Sequence, residues 1–366
     1  MKTIKFSVVA AAALALSSSA FAADGLTAYG AISGEVGSYF NAAKEGNLIE
    51  THSYASRFGL KGAADVGGGL TAVYQVEVGF NPVNNTDATG VSGDDAVLTT
   101  GKNSNNGSIA TRNSFVGIAG GFGTFVIGNH DTPYKIAARG AGAITSADTV
   151  ADLHLQTDRR IKGAVAYIAP ADALGGTTLA VALVPLSQTD KVGDQTNAYH
   201  YSIGALIPLA DAGLKIGLGF ESAAVDTTED SITSLFGAVT WSLDTLSVGL
   251  AVEQVSVGTD IAEDVGTTSV LVPFSIGLDD GLYVNAGIKY TLFDKGNNGL
   301  IPLTDSIGAF DADENILQVS AAFGKKWASN LDAYAGAKLT QAKTEGALGG
   351  GKKSATEFGV GLKVAF

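Results

Sequence analysis

The chain has 366 residues, 46% of them hydrophobic and 16% charged, with 48 glycines, 7 prolines and no cysteine. Asp and Glu number 36 against 23 Lys and Arg, a formal charge of −13, which argues against nucleic acid as a partner because phosphates demand basic surfaces. Without disulfides, stability must come from burial and backbone hydrogen bonding.

In chain order, Lys2 and Lys5 precede an apolar run over residues 6–16, and Ala20 and Ala22 form a small-x-small end. This is the pattern of a cleaved secretory signal peptide over residues 1–22, with the fold expected in 23–366. The run is too short to cross a bilayer as a helix, and no later stretch reaches 18 uninterrupted apolar residues.

Beyond the leader, helical periodicity is scarce and apolar–polar alternation recurs. It predicts strands at 25–39, 54–65, 70–80, 108–119, 122–130, 160–169, 177–185 and 198–209. The second half adds 214–224, 232–243, 246–257, 267–278, 282–293, 314–327, 331–342 and 354–366. Sixteen is an even number, as an antiparallel membrane barrel requires. Short turns at 67–69, 120–121, 210–213, 279–281 and 328–330 alternate with mostly longer polar connections at 81–107, 131–159, 294–313 and 343–353. Transmembrane barrels have that layout, and a soluble sandwich has no need of it.

Individual strands carry two unlike faces. Leu70, Ala72, Tyr74, Val76, Val78 and Phe80 share one face, while Thr71, Gln75, Glu77 and Gly79 share the other. The last strand sets Phe358, Val360, Leu362, Val364 and Phe366 against Glu357, Gly359, Gly361, Lys363 and Ala365. One face suits hydrocarbon. An edge so apolar would invite aggregation in a soluble protein, whereas at membrane depth every backbone group needs a partner and the sheet must close. With about sixteen strands, side chains cannot fill the interior, so an aqueous channel is expected.

The connection 131–159 is less polar than an exposed loop should be, with Ala137, Ala138, Gly140, Ala141, Ala143 and Ile144. It is expected to fold inward and narrow the pore. Its charged residues are Lys135, Arg139, Asp148, Asp152, Asp158 and Arg159, beside His154. Arg57, Arg112 and Arg160, opening or lying on strands, are placed to face its acids. Opposed fixed charges filter ions and orient polar solutes. These nine charged groups are the candidate constriction.

Other chemistry finds little support. Gly346, Gly351 and Lys352 have phosphate-loop spacing, but Lys353 stands where Ser or Thr is required. His52, His130, His154 and His200 are scattered with no pair four apart, so no zinc site is read and no metal or cofactor is expected. Asp311, Asp313 and Glu314 hint at calcium but lack the turn glycine and distal Glu of a dedicated loop. Gly-x-Ser-x-Gly is absent and no catalytic residue is assigned. The acidic pairs Asp94–Asp95, Glu229–Asp230 and Glu263–Asp264 are read as solvated loop residues.

Three passages carry a family resemblance: residues 56–77, residues 112–128, and the terminal strand ending in Phe366. The chain resembles the Gram-negative general porins of Neisseria and other beta-proteobacteria. That resemblance implies a homotrimer of 16-stranded barrels in outer-membrane lipid, each with a channel narrowed by its third loop. Pore arginines of the family map onto Arg57 and Arg160, and Phe366 onto the signal read by the barrel-assembly machinery. Ile127, Gly128 and Asn129 stand where relatives often carry a basic residue third, so one basic group is missing. The expected function is passive, non-enzymatic diffusion of ions and small hydrophilic solutes. A solute-selective porin is the alternative within transport, and an outer-membrane enzyme or adhesin the alternative outside it.

Overall fold

The computed structural model describes residues 26–41, 47–83, 109–146, 149–184, 200–224, 231–258, 265–294, 315–328, 330–344 and 351–366. The leader, Asp148 and the acidic pairs lie outside them. Strand β1 (Thr27–Asn41) is followed by β2 in two pieces, Asn47–His52 and Arg57–Gly67. Next come β3 (Leu70–Phe80), β4 in two pieces, Ile109–Thr111 and Ser114–Gly120, and β5 (Gly123–Asp131). A helix, α1 (Pro133–Gly140), precedes β6 (Arg160–Ile168), β7 (Thr178–Val184), β8 (His200–Leu209) and β9 (Leu214–Ala224). The sheet continues through β10 (Ser231–Leu243), β11 (Leu246–Gly258), β12 (Val265–Gly277) and β13 (Leu282–Phe293). It ends with β14 (Asn315–Ala328), β15 (Leu331–Thr344) and β16 (Gly351–Ala365).

Every pairing between neighbours is antiparallel, and β16 returns to β1 with Ala31 opposite Ala365 and Asn41 opposite Ala355. The eighteen hydrogen-bonded segments therefore make sixteen staves of a closed barrel. The seal reaches the last residue: Gly30 N–H donates to the Phe366 carbonyl at 2.8 Å, and Phe366 N–H returns to the Gly30 carbonyl at 3.0 Å.

The alternation read from sequence sorts side chains as expected. Val36, Val76, Leu235, Leu250, Ile288, Val360 and Leu362 stay exposed on the outer face. Between them Glu35, Glu77, Ser234, Glu253, Ser269, Lys289, Ser320 and Glu357 are buried on the inner one. An outer surface so apolar is stable against acyl chains and costly against water.

Two interruptions were not foreseen. The second stave was expected to start at residue 54, but its strand begins at Asn47 and breaks between His52 and Arg57. There Ser33 N–H donates to Ser56 Oγ (2.9 Å), Ser33 Oγ donates to the Tyr54 carbonyl (2.5 Å), and Ala55 takes φ +52°. These bonds replace ladder pairing, and the bulge re-aims the chain just before Arg57. The fourth stave breaks at Arg112 and Asn113, where Arg112 N–H donates to the Glu77 carbonyl at 2.8 Å. Both breaks fall beside charged inner-face residues.

Candidate functional site

Residues 132–159 connect β5 to β6, and much of their described length lies against buried faces of the wall. The Thr132 hydroxyl caps α1 by accepting the Lys135 N–H at 3.1 Å, and Pro133 follows at the first helical position, where its missing N–H costs nothing. Ala137, Ala138 and Ala141 of the helix region and Leu153 and Leu155 of the return limb pack with Leu206, Phe236, Ala238, Ala251 and Leu271 of the wall. Small residues on α1 let its backbone approach the sheet closely. Opposite them stand Gly204, Gly217 and Gly219, where an added Cβ would collide with Pro133, Ala141 or Phe236.

Polar bonds fasten the same segment at several points. Tyr134 N–H donates to Ser202 Oγ (3.0 Å), and Tyr134 Oη donates to Glu253 Oε1 (2.7 Å). Val150 N–H donates to Glu35 Oε2 at 3.0 Å. Gln156 and Thr157 N–H donate to the two Glu253 oxygens at 2.6 and 2.9 Å, and Thr157 Oγ1 donates to Ser234 Oγ at 2.7 Å. Burial, followed by the Glu253 carboxylate, pushes the Tyr134 hydroxyl well above its ordinary pKa, so it stays a donor.

The charged residues named from sequence form three connected groups. Arg112 Nε donates to Glu77 Oε1 at 2.8 Å, and Arg57 Nε lies 3.7 Å from the other oxygen, which also accepts Tyr29 Oη at 2.9 Å. In the second group Arg160 Nη2 meets Asp131 Oδ1 at 3.0 Å, and Lys135 Nζ bridges Asp131 (3.3 Å) to Asp158 (3.4 Å). Asp158 also takes Arg139 in a bidentate fork through Nε and Nη2. Asn113 supports this group, its Oδ1 accepting both Arg160 Nε (3.0 Å) and Asp131 N–H (2.9 Å). In the third, Arg159 Nη1 and His200 Nε2 approach Glu221 Oε1 at 3.5 and 3.2 Å. The Asp152 N–H donates to the Thr149 carbonyl at 3.0 Å. Among the described residues no group of three or more His, Cys, Asp or Glu is arranged to hold a metal.

Burial alone would raise the Asp158 pKa, but Arg139 and Lys135 outweigh it and hold the carboxyl well below the usual carboxylate range. A depressed folded-state pKa contributes stability that is full above the unfolded value and fades as pH falls below it. The stability gap between the parent and Asp158→Asn should therefore be the same at pH 7 and pH 5 and shrink only below about pH 4. Urea unfolding at the three pH values checks this; a gap that closes between pH 7 and 5 contradicts it.

The acids that receive these groups, Glu35, Asp131, Glu221 and Glu253, were not singled out from sequence, although Glu77 was placed on the polar face. A signal was there: Glu35 precedes Val36, Glu221 follows Phe220 and Glu253 follows Val252, so each acid points away from the apolar face of its strand.

This architecture has known counterparts. The anion-selective porin from Comamonas acidovorans shares the fold at TM-score 0.67 with 18% identity, over 93% of this chain and 99% of that one. OmpT of Vibrio cholerae, in a structure described as its trimer form, superposes at 0.65 with 14% identity, over 94% of this chain and all of that one. The major outer membrane protein P.IB of Neisseria gonorrhoeae is 28% identical over 228 residues, 58% of this chain, which spans 58% of that relative's length. The model of the Gram-negative porin family matches residues 9–345. A match of that extent, on a closed barrel with an apolar exterior and charged interior, makes this chain a member of the Gram-negative porin family.

Proposed function

We propose that this protein is a passive, non-enzymatic diffusion channel for ions and small hydrophilic solutes across the bacterial outer membrane. In this reading residues 1–22 are a signal peptide, Phe366 belongs to the assembly signal read by the barrel-insertion machinery, and the mature chain works as a homotrimer. Residues 132–159 are its inward third loop, and with Arg57, Arg112 and Arg160 they form the constriction. One observation carries the proposal: a segment rich in fixed charge lies against the buried face of a closed barrel whose other face is apolar.

Exposure divides the candidate charges. The side chains of Arg112, Lys135, Arg159 and Arg160 are at most 10% accessible, whereas Arg57 retains 27% and Arg139 30%. Paired and buried charges act at short range, and those facing solvent set the field a passing ion meets. Arg57 and Arg139 therefore set the sign of selectivity.

Purified protein in planar bilayers should give stepwise conductance, in threefold steps if trimers insert. No conductance from a folded barrel would end the channel reading. Replacing Arg57 and Arg139 together with Ala should move the reversal potential toward cation preference. An unmoved potential would take both residues out of the conduction path.

A further inference from the structure

We infer that Glu253 is the positioning residue that sets the aperture, by clamping both limbs of the 132–159 segment to one point on the wall. The inference rests on the channel reading above. Glu253 is fully buried in the middle of β11, between Val252 and Gln254. Its Oε1 accepts the Tyr134 hydroxyl at 2.7 Å and the Thr157 N–H at 2.9 Å, and its Oε2 accepts the Gln156 N–H at 2.6 Å. Tyr134 belongs to the outgoing limb, at the start of α1, and Gln156 and Thr157 to the returning one. The two limbs also meet directly, where Arg139 and Lys135 of α1 reach Asp158; Glu253 adds the point at which Tyr134, Gln156 and Thr157 share one residue of the wall.

The chemistry suits a carboxylate and no neutral isostere. Three donors converge on two oxygens, and an ionised carboxylate is acceptor-only with room for about four such bonds. Glutamine offers one acceptor oxygen and turns an NH₂ toward at least one of those N–H groups, so a buried donor would face a donor. Around the clamp, Thr157 Oγ1 bonds Ser234 Oγ at 2.7 Å, and Thr267 Oγ1 donates to Gln156 Oε1 at 2.7 Å. Both bonds hold only the returning limb. Without Glu253, the start of α1 and residues 156–157 lose their common anchor.

Glu253→Gln should leave the strand content of the purified barrel unchanged. It should also shift single-channel conductance, raise current noise and admit larger neutral polymers than the parent passes. Position is separated from charge by a tether. The hydroxyls of Thr157 and Ser234 lie 2.7 Å apart, which makes this pair the place to test a cysteine bridge, in a chain with no native cysteine. In the Glu253→Gln background, oxidising a Thr157→Cys/Ser234→Cys pair should move conductance part of the way back toward the parent, because it re-anchors the returning limb, and reduction should release it again.

Glu253→Gln channels that match the parent would overturn the inference, and so would altered channels whose conductance oxidation does not move toward the parent. If Glu253→Gln does not fold, the cysteine pair with Glu253 retained decides the matter. Oxidation should then leave conductance unchanged, because it pins a limb already held, and a change on oxidation overturns the clamp. A parent protein that folds and never conducts would instead defeat the channel reading.

Discussion

Replacing Gly204 with valine should displace α1 and change the channel while leaving the barrel standing. Gly204 lies in β8 with Gly219 on one side and Ala180 on the other. A Cβ there would fall inside the van der Waals shell of the Pro133 carbonyl and 3.1 Å from the Ala137 Cβ. Both obstacles belong to the helix backbone or its shortest side chain, so neither can swing aside. The wall is held by ladders on both edges, and valine favours strands. The helix must be the part that moves, by more than about 1 Å to restore ordinary contact distances. That shift carries Tyr134 away from Glu253 and Arg139 and Lys135 away from Asp158. Conductance and reversal potential should both change, with circular dichroism still reporting a full barrel. Gly237→Val is the control: it faces outward, and its added Cβ meets only Leu218 at 3.8 Å. Equal conductance from the two variants would show that α1 does not sit where conduction is decided.

The second large effect concerns Glu77. This residue is 4% exposed and is the counter-charge that Arg112 and Arg57 share. Glu77→Ala removes the carboxylate from the buried Arg112 guanidinium and from the partly exposed Arg57 beside it. Breaking a buried pair in this way costs about 3–5 kcal/mol, because the surviving charge keeps its desolvation penalty. The loss should be read by urea unfolding of the refolded barrel. Adding Arg112→Ala should recover part of it, and that non-additivity isolates the pair energy. The same variant makes the interior one charge more positive, so surviving channels should shift toward anions. A loss below about 1 kcal/mol would mean that the pair is solvated after all.

The barrel was legible from sequence because its two faces meet different solvents. Phe358, Val360, Leu362 and Val364 alternate with Glu357, Gly359, Gly361 and Lys363 in the last part of β16, and a period of two marks a strand with two unlike faces. The break before Arg57 could not be read, because Ser33 and Ser56, which hold it, belong to different strands. Helix α1 escaped notice for another reason. Eight residues give too little periodicity, although Thr132 followed by Pro133 carries a helix-start signature. The candidate charges were visible one by one. Their pairing was not: Arg112 and Glu77 stand 35 positions apart, and Arg160 and Asn113 stand 47 apart. Register alone brings such residues together, and register is a property of the closed ring.

The seal between Gly30 and Phe366 has a consequence for how the molecule comes into being. Strand β1 borders both β2 and β16, so its second edge stays open until the final strand arrives. Contacts between the two extremes of a chain carry the greatest loop-closure cost and make for slow folding. No early subset of strands can satisfy its own edges, and each partial sheet offers a template for aggregation. The polypeptide must therefore be kept from self-association during transit and zipped shut in one late event. Its lifetime as an unfinished sheet is one limit on how much of it reaches the closed state.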